Sequence, residues 1–298
     1  MKICFIGACG HSRQAWKYLN TRADVELAGF APGSEHETVV PKFAQDMPYY
    51  ADYKAMLDEV KPQYAVVSPV FGLTASVIME CAKRGIHVFA EKPVATTLED
   101  LAAVETAVKE SGIRFCAMHY LRYDPAFYEG AKLVEKIGQV KLITAQKSYK
   151  YGKRPEWYAD PELYGGTIPW VGIHAIDWIY HFTGKKFLTV TTQKVGEMAA
   201  LCQFALEDGA IATMNLDYYR PAGAPSHGDD RIRLAGTEGV LEVSGGKVTL
   251  MTAEGTQVWE PSTAPELLEE FLAGGGISAE EIFYLTRVAI IARDGGSL

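Results

Sequence analysis

The feature that most constrains the fold is a regular alternation of short apolar runs with helical patterns over the first 120 residues or so. The apolar runs predict strands at about 2–7, 25–30, 63–67, 86–90 and 113–118. None alternates strictly between apolar and polar residues, which is typical of strands covered on both faces. Helical patterns separate them at about 12–21, 52–59, 73–84 and 98–111. This alternation predicts a doubly wound parallel α/β sheet.

The pattern changes after a predicted helix at about 124–136. Further strands are predicted at about 139–149, 187–195, 199–206, 210–218, 230–236, 239–243 and 247–251. Turn sequences such as EDG and GTEG separate them, which favours a large, mainly antiparallel open sheet. One long helical stretch, 167–182, interrupts this half. We therefore expect a first domain over 1–120 and an α+β domain over 121–298, whose last helix at about 278–293 could pack back on the first domain.

Composition excludes several classes of partner. The chain has 298 residues, 48% hydrophobic and 22% charged, as in ordinary globular proteins. A net charge of −8 provides no basic surface for nucleic acid or anionic membrane. No apolar run approaches the roughly 20 residues of a membrane span, and MKICFIG is too short for a signal peptide. We expect a cytoplasmic protein with no nucleic-acid or membrane partner.

The first predicted strand runs directly into the turn GACGHSRQAW. A dinucleotide-binding Rossmann domain needs glycines here, because backbone amides must approach a pyrophosphate at a helix N-terminus. Only Gly7 is in register with G-x-G-x-x-G, although the small neighbouring residues still permit close approach. An ordinary tight turn is the alternative. The candidate nucleotide contacts in this turn are Gly7, Cys9, Gly10, His11, Ser12 and Arg13.

An acidic residue that would hold the ribose hydroxyls is expected about 20 residues further on. Pro32 lies near that place, and Glu35 could serve only if the loop folds back. Without an acid, a 2′-phosphate is not repelled, and Ser34 or Arg13 could contact it, unless Arg13 is simply a solvated helix residue. We therefore expect NAD or NADP as cofactor, with a slight preference for NADP.

The stretch VFAEKPVATT places Glu91 and Lys92 directly after the fourth strand, with Pro93 fixing the backbone. In the usual strand order 3-2-1-4-5, strands 1 and 4 flank the crevice in which ligands bind. A lysine there can hydrogen-bond a substrate hydroxyl beside the cofactor, whereas an ordinary surface lysine is the alternative. Ser68 and Pro69, after the third strand, are further candidates for packing near the cofactor.

The stretch GIHVFAEKPVATTLEDL closely resembles the glucose–fructose oxidoreductase/inositol dehydrogenase family (Gfo/Idh/MocA). The resemblance covers essentially the whole chain, including HYLRYDPAFYEGAKLVEKIGQVKLI, GGTIPWVGIHAIDWIYHFTG and LAGTEGVLEV. It implies an NAD(P)-dependent oxidoreductase in which Glu91 and Lys92 lie at the cofactor, Lys92 is catalytic and the bond before Pro93 is cis. We also expect a homodimer or homotetramer formed through the C-terminal sheet.

A second constellation lies in the predicted helix at 167–182, with Thr167 as its N-cap. At 100° per residue, Trp170, His174 and Asp177 share one stripe, together with His181. His174 is a natural general base because imidazole titrates near neutrality, and Asp177 could orient it. The alternative is a buried histidine that is satisfied inside a domain interface.

Trp170 departs from the family pattern that the resemblance implies. The family usually has an aspartate four residues before this histidine, in D-x-x-x-H, and this chain has Trp170 there. Lys92 and His174 therefore carry over from the family, but the aspartate does not. Trp170 could stack on the apolar face of a sugar ring or simply fill space.

Weaker candidates follow the fifth and sixth strands. Tyr120 and Arg122 could bind substrate hydroxyls or a carboxylate, or Arg122 could form an interdomain salt bridge. Lys147 and Tyr149 end the sixth strand. The stretch SHGDD at 226–230 is better explained as a solvated loop or an oligomer contact than as a metal site, and we expect no metal.

These features predict an oxidoreductase that acts on a sugar, a cyclitol or a related polyhydroxyl compound. His174 would move the hydroxyl proton while Lys92 polarises the oxygen. A non-catalytic ligand-binding or regulatory protein on the same scaffold is the main alternative, since the glycine motif is incomplete and Trp170 replaces the aspartate. A lyase or hydrolase that uses nicotinamide as a transient redox partner is the third possibility.

Overall fold

A computed structural model describes all residues from 1 to 298 and confirms the α/β fold class. The chain divides into two compact units, each assembled from separate segments. The first unit contains Met1–Met118, Pro155–Gly165 and Glu266–Arg287. The second contains His119–Arg154, Gly166–Pro265 and Val288–Leu298. None of the helices combines the length and the apolar character needed to span a bilayer.

The first unit is built on a five-stranded parallel sheet. Its strands are β1 (Lys2–Ile6), β2 (Glu26–Ala31), β3 (Tyr64–Val67), β4 (His87–Ala90) and β5 (Phe115–Ala117). Its helices are α1 (Ser12–Leu19), α2 (Tyr53–Val60), α3 (Thr74–Lys83), α4 (Leu98–Ser111), α6 (Pro161–Tyr164), α8 (Leu267–Ala273) and the first part of α9 (Ala279–Asp294). The strand interiors are almost wholly buried, as expected for a sheet covered on both faces.

The strand order differs from the order that the sequence argument assumed. The observed order is β2-β1-β3-β4-β5, so β3 lies between β1 and β4. One edge of β1 pairs with β2, which is the edge strand of the sheet. The other edge of β1 pairs directly with β3. The neighbours of the glycine turn in the sheet are consequently the residues after β3, Ser68 and Pro69, rather than Glu91 and Lys92.

Helix α4 shows how local chemistry fixes an element boundary. Thr97 has an extended backbone, and its hydroxyl accepts a hydrogen bond from the Asp100 amide, so it is the N-cap of this helix. The carboxylates of Glu99 and Asp100 lie in the first turn, where they favour the helix dipole. Gly112 ends the helix in the left-handed conformation.

The second unit is built on an eight-stranded, mainly antiparallel sheet in the order β13-β12-β11-β10-β6-β9-β8-β7. Its strands are β6 (Val140–Tyr149), β7 (Phe187–Val195), β8 (Ala199–Leu206), β9 (Ile211–Asp217), β10 (Gly228–Gly236), β11 (Gly239–Ser244), β12 (Lys247–Thr252) and β13 (Gly255–Trp259). Only the central β6–β9 pair is parallel. The sequence analysis missed β13, whose residues are all exposed and therefore carry no burial pattern, and the seven-residue helix α8.

The predicted helix at 124–136 is interrupted. It consists of α5 (Pro125–Ala131) and a separate 3₁₀ turn, Val134–Ile137. Asp124 caps α5 by accepting a hydrogen bond from the Ala126 amide, and a proline occupies the first turn.

The predicted helix at 167–182 is also interrupted. A π-helical turn, Ile168–Gly172, precedes α7 (Ile173–Thr183). Thr167 is not an N-cap: its backbone is helical, and its hydroxyl donates to the Glu197 carbonyl at 2.7 Å. Gly172 packs closely on β9, because a Cβ there would lie 3.1 Å from the Met214 Cε atom. The π turn breaks the α-helical spacing on which the stripe from Trp170 to His174 depended.

Candidate active site

The glycine turn after β1 is fastened to the end of β3. Gly7 has a φ of +75°, and a Cβ there would lie 2.5 Å from the Ser68 carbonyl oxygen, so only glycine fits. The Cys9 amide donates to the Ser68 carbonyl at 2.8 Å, and the Ser68 hydroxyl donates back to the Cys9 carbonyl. Ser68 and Pro69 therefore hold the shape of the turn. Gly10, with a φ of +70°, supplies its second left-handed residue.

Glu91 fastens the same turn to the end of β4, across the intervening strand. Its carboxylate is fully buried, accepts a hydrogen bond from the His11 amide and lies 3.0 Å from the His11 Nδ1 atom. It also accepts from the Lys92 amide at 3.0 Å. Burial alone would raise the pKa of Glu91, but the charge and hydrogen bonds of His11 outweigh it and lower that pKa. Glu91 is therefore a buried carboxylate that links the two loops.

Lys92 follows this link and is itself almost fully buried, with 2% of its surface exposed. The peptide bond between Lys92 and Pro93 is cis, as the family resemblance implied. The Rossmann unit thus presents its lysine from a backbone that Glu91 and Pro93 both constrain.

Sequence reasoning missed Glu37. Its carboxylate accepts hydrogen bonds from the amides of Ala8 (3.1 Å), Gly33 (3.2 Å) and Val70 (3.3 Å). These three amides follow β1, β2 and β3, so their donors converge at the carboxyl edge of the sheet. Burial raises the pKa of Glu37 to about 7.

An acid does occupy this region, which removes the reason for expecting NADP. Glu35, the acid considered from the spacing, is exposed. The second acid of the same SEHE stretch, Glu37, was the only available signal.

These residues fit a dinucleotide cofactor. The glycine turn leads into the N-terminus of α1, where a diphosphate is favourably bound. The Ser12 hydroxyl, on the first residue of α1, is buried and has no hydrogen-bonding partner. Arg13 is exposed, and the Ser34 hydroxyl lies 3.5 Å from the Glu37 carboxylate. A bound NAD or NADP would be held by this turn, with Glu37, Ser34 and Arg13 as candidates for its ribose end.

Several titratable side chains of the second unit lie on α7 or beside it. His174 is buried, with 3% of its surface exposed, and its ring centroid lies 6.1 Å from that of His119. The Asp177 carboxylate accepts a hydrogen bond from Arg122 Nε at 3.0 Å and a second from Arg122 Nη2, and it lies 3.4 Å from His119 Nδ1. Asp177, which we expected to orient His174, thus has two other partners, Arg122 and His119.

Arg122 is paired with Asp177 inside the second unit. Burial would raise the pKa of Asp177, but the charges of Arg122 and His119 outweigh it and hold the pKa well below its usual range. Tyr120 begins the same 3₁₀ turn as Arg122 and is half-buried. Trp170 is buried in the π turn, with 8% of its surface exposed.

No group of three or more His, Cys, Asp or Glu side chains in the chain could hold a metal ion. The two aspartates of SHGDD are engaged elsewhere. Asp229 pairs with Arg231 at 2.8 Å, and Asp230 pairs with Lys147 at 2.8 Å.

Two family models match the chain in succession. Residues 1–119 match the oxidoreductase family with an NAD-binding Rossmann fold. Residues 132–242 match the GFO/IDH/MocA C-terminal domain. The chain belongs to the Gfo/Idh/MocA family. Its Rossmann sheet, glycine turn and Glu-Lys-Pro segment are the structural counterparts of that membership.

Solved structures and curated proteins include similar family members. A structure from Thermotoga maritima described as an oxidoreductase is 37% identical, with a TM-score of 0.92, over 98% of this chain and 97% of that one. D-xylose 1-dehydrogenase (NADP(+)) 2 of Haloferax volcanii is 28% identical over 58% of this chain and 55% of its own length. A scyllo-inositol 2-dehydrogenase (NADP(+)) of Bacillus subtilis is 31% identical over 41% of this chain and 35% of its own length. The chain thus matches 55% of the length of the xylose dehydrogenase and 35% of the length of the inositol dehydrogenase.

The pairing of Asp177 generates a stability prediction for this Gfo/Idh/MocA protein. Asp177→Asn leaves the Arg122 charge buried without its partner, which typically costs about 3–5 kcal/mol. We expect a clearly lower melting temperature at pH 7. Because the folded pKa of Asp177 is lowered, the pair stabilises the fold fully above about pH 4, and this contribution is lost as the pH falls through the folded pKa. The variant should lack that part of the acid transition.

The matched control is the double variant Arg122→Met/Asp177→Leu, which replaces both charges by apolar groups and should recover much of the lost stability. If Asp177→Asn instead melts like the wild type but turns over slowly, the carboxylate acts on His174 and the ion-pair interpretation is wrong.

Proposed function

We propose that the protein is an NAD(P)-dependent oxidoreductase acting on a CH–OH group of a sugar, a cyclitol or a related polyhydroxyl compound. The observation that carries this proposal is the buried contact from Glu91 to His11, which joins the lysine-bearing segment to the glycine turn. A nucleotide-binding turn and a buried lysine are thereby built as one rigid assembly. The names of the xylose and inositol dehydrogenases in the same family support the substrate class.

The proposed roles follow from the chemistry of each side chain. A bound nicotinamide cofactor would exchange a hydride with the substrate carbon. The Lys92 ammonium would polarise the substrate oxygen, since it is a compact charge on a constrained backbone. The His174 imidazole would accept the hydroxyl proton during oxidation and return it during reduction. Trp170, in place of the family aspartate, would contribute an apolar surface rather than a charge.

Lys92→Met and His174→Gln should each lower turnover by roughly 10²–10⁴-fold, because positioned acid–base groups contribute that much. The measurement is turnover of D-xylose, scyllo-inositol and myo-inositol with NAD⁺ and NADP⁺. His181→Gln, on the same helix as His174, is the matched control and should retain turnover.

Nucleotide affinity, measured by calorimetry, should be nearly unchanged in His174→Gln. If His174→Gln turns over at close to the wild-type rate, the proposed proton transfer is wrong. If the wild type binds nucleotide but oxidises none of these compounds, a non-catalytic nucleotide-binding protein becomes the better interpretation.

We further propose that Glu37 shifts the cofactor preference from NADP, which the sequence favoured, towards NAD. A carboxylate accepts hydrogen bonds from ribose hydroxyls but repels a 2′-phosphate. The amides of Ala8 and Gly33 hold this carboxylate beside the glycine turn, which supports the proposal.

Glu37→Gln should therefore raise the affinity for NADPH relative to NADH by about 10-fold, which corresponds to about 1.4 kcal/mol. Calorimetry with both nucleotides measures this ratio. Glu35→Gln, which changes an exposed acid two residues away, is the control and should leave the ratio unchanged. Because the pKa of Glu37 is raised to about 7, the wild-type preference for NADH should weaken at pH 6 compared with pH 8. Equal effects of the two variants would contradict the assignment.

We also propose that the outward face of the eight-stranded sheet forms a homodimer or homotetramer. Leu142 and Ile211 are register partners on the central β6–β9 pair, yet 41% and 57% of their surfaces are exposed. Neighbouring large apolar side chains that stay exposed on a sheet face are typical of an interface.

Ile211→Glu should shift the protein towards the monomer, because it places a charge beside the exposed Leu142 on the two central strands. Sedimentation velocity measures the state. Val258→Glu, an equally exposed apolar position on the edge strand β13, is the control. A wild-type monomer, or an Ile211→Glu variant that assembles like the wild type, would count against this interface.

A further inference from the structure

Lys147, Tyr149 and Asp230 form a cluster around a buried lysine in the second unit, which the proposed chemistry does not use. Lys147 and Tyr149 are two residues apart on β6 and so face the same side, and Asp230 is the register partner of Lys147 on β10. The Lys147 Nζ atom lies 2.7 Å from the Tyr149 hydroxyl oxygen and 2.8 Å from Asp230 Oδ1. None of the Lys147 surface is exposed.

Complete burial of a lysine carries a large desolvation free energy. Apolar side chains of similar volume usually stabilise such a position as well or better, so a buried ion pair is weak evidence for a purely structural role. The ammonium has three donors but only two acceptors, Tyr149 and Asp230; its other contacts are the rings of Tyr149 and Trp178. Burial lowers the pKa of Lys147 to about 8, although Asp230 and Asp124 act in the opposite direction.

The Tyr149 hydroxyl must act as a donor, because Lys147 already donates to its oxygen. Its one acceptor in the protein is Asp230 Oδ2 at 3.4 Å, well beyond the usual 2.5–3.0 Å or so for this type of bond. Burial and the charge of Asp230 raise the pKa of Tyr149 far above its usual value, so the phenol keeps its proton. Tyr149 is therefore a permanent donor whose hydrogen bond is poorly satisfied.

The ring of Tyr149 is held in place from two sides. Its register partner is Gly228, where a Cβ would lie 3.0 Å from the Tyr149 Cζ atom. The imidazole of His227 meets the ring edge-on at a centroid distance of 5.1 Å. Unlike Lys147, Tyr149 and Asp230 are only half-buried, so the cluster reaches the surface through these two side chains.

Most of the charged groups that act on His227 are cationic. After burial, the charges of Arg154, Lys150 and Lys147 lower the pKa of His227, and Asp230 is the only charge acting in the opposite direction. The cluster also lies close to the proposed proton acceptor along α7. Lys147 Nζ is 4.9 Å from the Trp178 ring, and Trp178 is one turn from His174 on the same helix face.

We propose that Tyr149 binds a carboxylate of the substrate, so that the preferred substrate is a sugar acid rather than a neutral sugar or cyclitol. The carboxylate accepts the Tyr149 hydrogen bond, and the buried charge of Lys147 behind the phenol strengthens it. Lys147, Asp230 and Gly228 are positioning residues. This inference rests on the proposed oxidoreductase function and specifies its substrate class.

The test uses matched substrate pairs that differ only in a carboxylate: D-glucuronate against D-glucose, and D-galacturonate against D-galactose. The wild type should have the higher kcat/KM for the acid of at least one pair. Tyr149→Phe should lower the acid-to-neutral selectivity ratio of that pair by roughly 10- to 100-fold, mainly through KM, because one hydrogen bond to a charged group is lost. Gly228→Ala should lower it as well, since the added methyl displaces the ring without removing a polar atom.

Tyr219→Phe, an exposed tyrosine in the same unit, is the control and should preserve the ratio. Melting temperatures of the variants show whether each has folded. A wild type that favours the neutral sugar of both pairs, or a Tyr149→Phe variant that keeps the wild-type ratio, would overturn the inference while leaving the oxidoreductase proposal intact.

Direct binding separates this inference from a failure of the proposed function. If nothing is turned over, calorimetry of D-glucuronate and D-galacturonate with the wild type decides the question. Binding that Tyr149→Phe abolishes supports the carboxylate site, and binding of neither acid contradicts it.

Discussion

A fully buried carboxylate, Glu91, holds the candidate nucleotide end of the molecule together. Strand order places β3 between β1 and β4, so the lysine-bearing loop and the glycine turn are not neighbours in the sheet. The contact from Glu91 to the amide and ring of His11 bridges that gap. A carboxylate at this depth needs hydrogen bonds and an opposing charge, and both come from the turn that it positions. The shape of the turn and the position of Lys92 are therefore set by one interaction.

The second unit contains two carboxylates that are likewise paired with a cationic side chain, which is an arginine or a lysine instead of a histidine. Arg122 with Asp177, and Lys147 with Asp230, are ion pairs in which both cations are buried. Neither pair is needed to fill space, since apolar residues of similar volume pack as well. Both contact elements that flank His174, through Asp177 and through the Trp178 ring. Both pairs therefore lie beside the helix that carries His174.

The sequence predicted elements well where the signal is local. The apolar runs that predicted β1 to β5 lie within the strands that they determine. Strand order was wrong because it depends on which crossover returns to β1, and no local residue encodes that choice. The pairing of Lys147 with Asp230 depends on the register of β6 against β10, which only the folded sheet reveals. Glu37 was missed because its position depends on how its loop folds back to Ala8 and Val70. Its distance from β2 along the chain does not show this.

The replacement of the family aspartate by Trp170 then acquires a physical meaning. The π turn that carries Trp170 is fixed at both ends. Thr167 is hydrogen-bonded to Glu197 at one end, and Gly172 packs against Met214 at the other. Asp177, the carboxylate of α7, is paired with Arg122. The π turn therefore has an apolar ring where the family pattern has a charge. Under the proposed function, the charges that select the substrate lie elsewhere in the second unit, at Lys147 and Asp230.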